Sequence, residues 1–162
     1  MSISLVRIDD RLIHGQVCVA WGASLLIDRI VLVNDDVAHT EWKRALYAEA
    51  DAMGAAISVL DVEGFGDEFE ARTWQDEKVI VVVGTPRDAR LLLQRGLDVK
   101  SINIGGMHYS EGKREVLPYV YVDDADRREL LAIAAGGVAL EARDVPQADP
   151  VDLLPLLKKQ TG

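Results

Sequence analysis

The feature that most constrains this chain is Val79-Ile80-Val81-Val82-Val83, a row of β-branched residues with no polar side chain among them. A strand with one wet face alternates apolar and polar residues, whereas a strand apolar at every position is covered on both faces. That is the condition of an interior strand in a parallel sheet clothed by helices. Similar runs recur at Ser4 to Ile8, Arg29 to Val33, Ala56 to Leu60, Ser101 to Ile104, Val116 to Val122 and Val138 to Ala142, and stretches of helical period lie between them. The pattern predicts an α/β fold: an open, twisted, mostly parallel sheet of about seven strands, flanked by helices on both faces.

The helices carry their own signals. From Asp36 to Met53 the residues Trp42, Ala45, Leu46, Ala50 and Met53 share one face, so a single helix is expected to lay that face on the sheet. Thr85 stands as N-cap before Pro86, and Gly96 stops that helix. Asp123 or Asp124 caps a helix ending at Gly136-Gly137, and a short helix is expected around Asp152 to Lys159. No linker or internal repeat divides the 162 residues, so one domain over 1–162 is expected.

Eighteen Lys and Arg against 27 Asp and Glu leave a net charge of −9, which excludes a general nucleic-acid binder. A small anion would have to be held by a local group of donors. The single cysteine, Cys18, makes no internal disulfide and reads as a small buried hydrophobe. The apolar run from Leu130 to Leu140 contains two glycines and falls short of the ~20 residues of a membrane span, so a soluble, cytoplasmic chain is expected.

In an open α/β sheet, ligands bind at the carboxyl ends of the strands. That rule selects Asp9, Asp10, Arg11 and His14-Gly15 after the first strand, Asn34-Asp35-Asp36 after the second, Gly84-Thr85 after the fourth, and Gly105-Gly106-Met107-His108 after the fifth. His14 falls at the start of a helix, where the partial positive charge disfavours imidazolium and keeps a nucleophilic ring nitrogen available. A phosphoryl group accepted there would be stabilised by the helix start and by Arg11, three residues earlier. Asp10, Gly15, Thr85, Gly105 and Gly106 complete the expected set around the phosphoryl group, the glycines because they tolerate the dihedrals that turn backbone N–H groups toward an oxyanion. No metal and no cofactor are expected: His14 and Cys18, four apart, lack a third ligand, and no nucleotide-binding glycine motif occurs. His39 is expected on a helix surface and His108 at the margin of the site. A competing reading is a receiver-like switch in which Asp9-Asp10, Asp61 and Thr85 hold Mg²⁺ and Asp61 is phosphorylated; no lysine follows the fifth strand to support it.

The stretch Arg7-Ile8-Asp9-Asp10-Arg11-Leu12-Ile13-His14-Gly15-Gln16-Val17, followed by Trp21, resembles the phosphorylation-site signature of the IIB component of the mannose/fructose/sorbose family of the bacterial phosphoenolpyruvate-dependent sugar phosphotransferase system. Asn34 to Ala38, Asn103 to Met107 and Glu111-Gly112-Lys113 are similar to further family blocks. The resemblance implies a phosphocarrier. The histidine matching His14 accepts a phosphoryl group on Nδ1 from a separate IIA component, the arginine matching Arg11 stabilises it, and it passes to a sugar held by the membrane components IIC and IID. It also implies a cytoplasmic chain, peripheral to the inner face of the membrane through those components, and a mostly parallel sheet with a minor antiparallel part. A phosphohistidine module of the same fold that signals without a transported sugar is the alternative.

Overall fold

The computed structural model describes residues 2–159. In chain order the elements are β1 (Ser2–Asp9), a π-helical segment (Gln16–Trp21) running into α1 (Gly22–Leu25), β2 (Arg29–Val33), α2 (Asp35–His39), α3 (Glu41–Ala48), β3 (Ala56–Leu60), α4 (Val62–Glu70), β4 (Lys78–Val83), α5 (Pro86–Gln94), β5 (Ser101–Gly106), β6 (Arg114–Leu117), β7 (Val120–Val122), α6 (Asp124–Ala135), β8 (Ala139–Ala142), β9 (Val151–Asp152) and α7 (Leu153–Lys159). Seven strands form one sheet in the order β3-β2-β4-β1-β5-β8-β9, parallel except where β9 runs against β8.

The all-apolar run of β4 lies between β1 and β2, and Val79 through Val83 are fully buried. Its side chains divide by parity. Val79, Val81 and Val83 join Val31, Ile102, Ile104, Phe65, Leu92, Leu130 and Ile133 in one core, while Ile80 and Val82 join Ile30, Leu32, Val17, Cys18 and Trp21 in the other. The sheet is therefore a wall between two hydrophobic layers, one under α4 to α7 and one under the π segment and α1 to α3. The chain leaves β1 toward β2 on one side, and leaves the adjacent β5 toward β8 on the other. The carboxyl ends of β1 and β5 thus flank the switch point, where neighbouring connections part and open a crevice.

Thr85 caps α5 through its side chain with Pro86 following, and Gly96 adopts a φ of +103° just past the end. Asp123 and Asp126 form a reciprocal cap on α6. The expected strand from Val116 to Val122 is instead an antiparallel pair, β6 and β7, because Pro118 has no N–H for a ladder and falls in the turn between them. Of the tail, α7 is present, and residues 160–162 lie outside the described residues, as does Met1.

The expected single helix from Asp36 to Met53 is the clearest departure. Thr40 is extended, with φ −112° and ψ 107°, and divides the segment into α2 and α3. The helical phase restarts there, so that Tyr47 and Ala50 pack on the core while Trp42, Leu46 and Met53 stand in solvent, Trp42 at 67% exposure. We expect Trp42→Ala to change the unfolding free energy by less than about 1 kcal/mol, as other exposed sites do. The buried Trp74 should cost about 3–5 kcal/mol on the same change. Urea unfolding of both variants checks this, and a Trp42 loss matching that of Trp74 would return α3 to the phase read from sequence.

Candidate functional site

The site begins inside β1. Arg7 and Asp9 are two residues apart on a strand flanked on both sides, so their side chains share a face, and both are fully buried. A buried charge must be paired and hydrogen-bonded, and these pair with each other: Arg7 Nε and Nη2 donate to Asp9 Oδ2 at 3.2 and 3.0 Å. Behind them Arg7 Nη1 donates to Asn103 Oδ1 at 2.6 Å and to the Arg143 carbonyl, and Nη2 to the Asp144 carbonyl. The Arg7 and Arg143 guanidiniums each lie 5.4 Å from the centre of the Trp21 ring, whose Nε1 donates to the Asp144 carbonyl.

Asp9 is the hub. Its backbone carbonyl accepts from the Leu12 N–H, and its Oδ1 accepts from the Arg11 backbone N–H at 3.1 Å, folding the loop into a tight turn. Leu12 sits at φ 62°, an uncommon place for a non-glycine residue, held there by burial in the core beneath the loop. The turn swings Arg11 back over the carboxylate, and Arg11 Nε and Nη2 donate to Oδ1 and Oδ2, both at 3.0 Å. His14 Nε2 lies 2.9 Å from Asp9 Oδ2.

That last contact fixes a proton. Burial alone pushes the Asp9 carboxyl up, but the hydrogen bonds from His14 and Arg11 and the charge of Arg7 outweigh it and hold the group well below the ordinary carboxylate range. An ionised carboxylate only accepts, so Nε2 carries a hydrogen. His14 is 18% exposed and its carbonyl accepts from the Cys18 N–H, which places it immediately ahead of the helical turn that begins at Gly15. The turn is π-helical rather than α-helical, a form that recurs at functional sites. The arrangement orients the imidazole through Nε2 and sets a guanidinium beside it.

The expected residues part company here. His14 and Arg11 meet on Asp9, and Gly106 lies beneath them: a Cβ there would fall 3.1 Å from Asp9 Oδ1 and 3.3 Å from Arg11 Nη2. Gly105 is elsewhere occupied, since a Cβ built on it would overlap the Arg7 guanidinium. Neither glycine has a positive φ, so both serve by leaving space and not by unusual dihedrals. The β1–β5 register shifts at this point, and Asp9 pairs with Gly106 with Gly105 passed over. Thr85 spends its hydroxyl on the α5 cap and lines a groove with Asn34, Asp35, Asp36 and Asp88. Asp10 is an acceptor: its carboxylate takes the His108 backbone N–H at 2.6 Å and also bonds His108 Nδ1, tying the loop after β5 to the loop after β1. Gly15 has open space around it.

The carboxylates of the receiver-like reading are committed separately. Asp9 is taken by two arginines and His14, Asp10 by His108, and Asp61 by the α4 N-cap and His39. Among the described residues, no group of three or more His, Cys, Asp and Glu side chains could hold a metal ion, and no helix is long and apolar enough to cross a membrane. Sequence reasoning did not assign the hub itself, Asp9, or its support by Arg7, Asn103 and Trp21. The available signal was opposite charges at i and i+2 on a strand with no wet face.

The chain is similar to known proteins over nearly its whole length. Residues 3–162 match the family model described as PTS system sorbose subfamily IIB component. The chain is 34% identical over 154 residues to the sorbose-specific EIIB component of Klebsiella pneumoniae, covering 95% of this chain and 94% of that one. It is 36% identical over 146 residues to the N-acetylgalactosamine-specific phosphotransferase enzyme IIB component 1 of Escherichia coli, covering 90% and 92%. Against the mannose-specific EIIAB component of Escherichia coli it is 33% identical over 159 residues, covering 98% of this chain but only 49% of that protein. The chain thus spans about half the length of that relative. The crystal structure of the IIBSor domain of the Klebsiella pneumoniae sorbose permease superposes with a TM-score of 0.92 at 32% identity, covering 99% of both chains.

Proposed function

Because the chain belongs to the sorbose subfamily of phosphotransferase-system IIB components, we propose that it is a phosphocarrier in sugar uptake, with His14 as the covalent acceptor. The observation that carries this reading is the 2.9 Å contact of His14 Nε2 with the buried Asp9 carboxylate, which leaves Nδ1 as the nucleophilic nitrogen. The phosphoryl group would come from a phosphohistidine of a IIA component and pass to a sugar held by membrane components of the IIC and IID kind. Phosphoryl transfer asks mainly for positioning and charge stabilisation. The rigid strand end of β1 supplies the first and Arg11 the second, so no resident metal is required of this chain.

Relatives at 29–36% identity carry the sugar names sorbose, fructose, mannose and N-acetylgalactosamine. Such a spread at similar identity fits a sugar chosen by the membrane components and not by this chain. The test is to supply phosphoenolpyruvate, enzyme I, HPr and a cognate IIA, and to map the phosphate by peptide mass spectrometry at neutral pH. Phosphate on the peptide containing His14 is expected, and none on any histidine while IIA itself is loaded would overturn the proposal.

Arg11 is half exposed at the mouth of the loop, and its guanidinium shares the Asp9 carboxylate with Arg7. Arg11→Ala is expected to leave the fold intact and to slow transfer by roughly 10² to 10³-fold, the scale for losing one charge-stabilising donor. Rapid-quench kinetics of loading from phospho-IIA reads this directly, and an unchanged rate would remove Arg11 from the site.

A further inference from the structure

We propose that Asp9 is a positioning residue that keeps the Nε2 proton on His14 through the whole phosphoryl cycle, and that this retained proton is what makes His14 a good donor as well as a good acceptor.

The placement of the Nε2 proton in the unphosphorylated ring stands on the Asp9 contact alone; its retention through the cycle, and its use in donation, rest on the phosphocarrier reading. On loading, the Nδ1 lone pair forms the N–P bond while the donor's own P–N bond breaks and its electron pair leaves with the donor ring. His14 then carries phosphorus on Nδ1 and hydrogen on Nε2, and the ring is cationic. On unloading, the N–P pair returns to Nδ1 as an acceptor hydroxyl oxygen bonds to phosphorus, the hydroxyl proton passing to a base of the acceptor component. The leaving group is neutral imidazole. Had Nε2 lost its proton in between, the leaving group would be imidazolate, far too basic to depart readily. The same proton on the same nitrogen therefore serves both directions, and no proton need be exchanged with solvent.

The structure supplies the means to hold it. Asp9 Oδ2 is 2.9 Å from Nε2 and fully buried, and a cation formed on the ring strengthens that bond. Asp9 faces the ring from the end of β1, Arg7 lies behind that carboxylate, and Arg11 closes over it from the loop. Asp10 is turned to His108, and Arg143 lies behind Arg7 against Trp21. Arg7, bonded to Asn103 and two backbone carbonyls, prevents the carboxylate from turning away. Two arginines also keep Asp9 ionised, so it does not compete for the proton it orients.

Two measurements test this. In unphosphorylated protein labelled with ¹⁵N-histidine, two-bond ¹H–¹⁵N correlation at pH 8 should show His14 as the Nε2–H tautomer alone, and as a mixture in Asp9→Asn. A mixture or the Nδ1–H tautomer in the unsubstituted protein overturns the inference, whatever the fate of the phosphocarrier reading. In protein loaded from phospho-IIA, the rate of phosphoryl loss to water should be nearly level between pH 6.5 and pH 8.5, whereas in Asp9→Asn it should fall by up to tenfold per pH unit above neutrality. Identical pH profiles overturn it. If Asp9→Asn does not fold, the loaded unsubstituted protein decides alone: Nε2 of phospho-His14 still protonated at pH 8.5 supports the inference, and a deprotonated ring there refutes it. Failure of the unsubstituted protein to load refutes the phosphocarrier reading and leaves the tautomer measurement to judge Asp9.

Discussion

Phosphate incorporation from a loaded IIA donor is expected to fall to background in His14→Ala, with the thermal unfolding midpoint close to that of the unsubstituted protein. The two halves of this expectation have separate causes. Incorporation is lost because the Nδ1 lone pair is the atom that would bond to phosphorus, and alanine has nothing to replace it. The fold is kept because Asp9 does not depend on His14 for its pairing: Arg7 and Arg11 still donate five hydrogen bonds to its two oxygens. One hydrogen bond from a partly exposed ring is removed, a net loss of about 1 kcal/mol, and the hole opens toward solvent. Intact-mass spectrometry and calorimetry on the same preparation check both halves. Full labelling of the variant would move the acceptor to His39 or His108. His39 also has Nε2 on a carboxylate, but the other oxygen of Asp61 is spent on the N–H of Gly64 where Asp9 holds two guanidiniums. Among the described residues, His14 is the histidine whose carboxylate partner also holds two guanidiniums, the charge the proposed acceptor requires.

Much of the architecture was legible because burial on two faces leaves a direct mark on sequence. The strands at Arg29–Val33 and Ala56–Leu60 stand where the apolar runs place them, and the caps at Thr85 and Asp123 are local chemistry that acts within four residues. Thr40 shows where such reading stops. A β-branched residue interrupts a helix only if the fold gains more by turning the chain, and that gain belongs to the tertiary structure. His14 and Arg11 were legible from the helix start and the loop ahead of it. Asp9 was visible as a residue but not as the hub, because Arg7, which holds it, is itself held by Asn103 and by the Arg143 and Asp144 carbonyls, 96 to 137 residues away in sequence. Strand order, which one sequence does not reveal, brings β5 beside β1 and β8 beside β5, so that the chain after β8 reaches Arg7.

The second large effect is expected at Gly105, which touches no phosphoryl group. Gly105→Ala should destabilise the protein by at least about 3–5 kcal/mol, the scale for breaking a buried ion pair, and lower its unfolding midpoint by roughly 10 °C, at about 2–4 °C per kcal/mol for a domain of this size. The methyl group would occupy the volume of the Arg7 guanidinium. Neither neighbour can yield. β5 is pinned between β1 and β8 by ladders on both sides, and Arg7 is fixed by Asp9, Asn103, two carbonyls and the face of Trp21. Expelling the guanidinium removes the Arg7 donor from Asn103 Oδ1 and leaves Asp9 with one arginine instead of two. Gly106→Ala provides the contrast. Its Cβ would meet Asp9 Oδ1 and Arg11 Nη2 at 3.1 and 3.3 Å, contacts that a shift of a few tenths of an ångström relieves. That variant should stay folded while loading from phospho-IIA slows. Chemical unfolding together with the loading assay separates the two glycines, and a Gly105→Ala protein within about 1 kcal/mol of the parent would show that Arg7 is not held as described. Adjacent glycines at a strand end invite the reading of a backbone cradle for an anion. Here each is small because a different member of one charge stack, Arg7 for the first and the Asp9–Arg11 pair for the second, lies where its side chain would be.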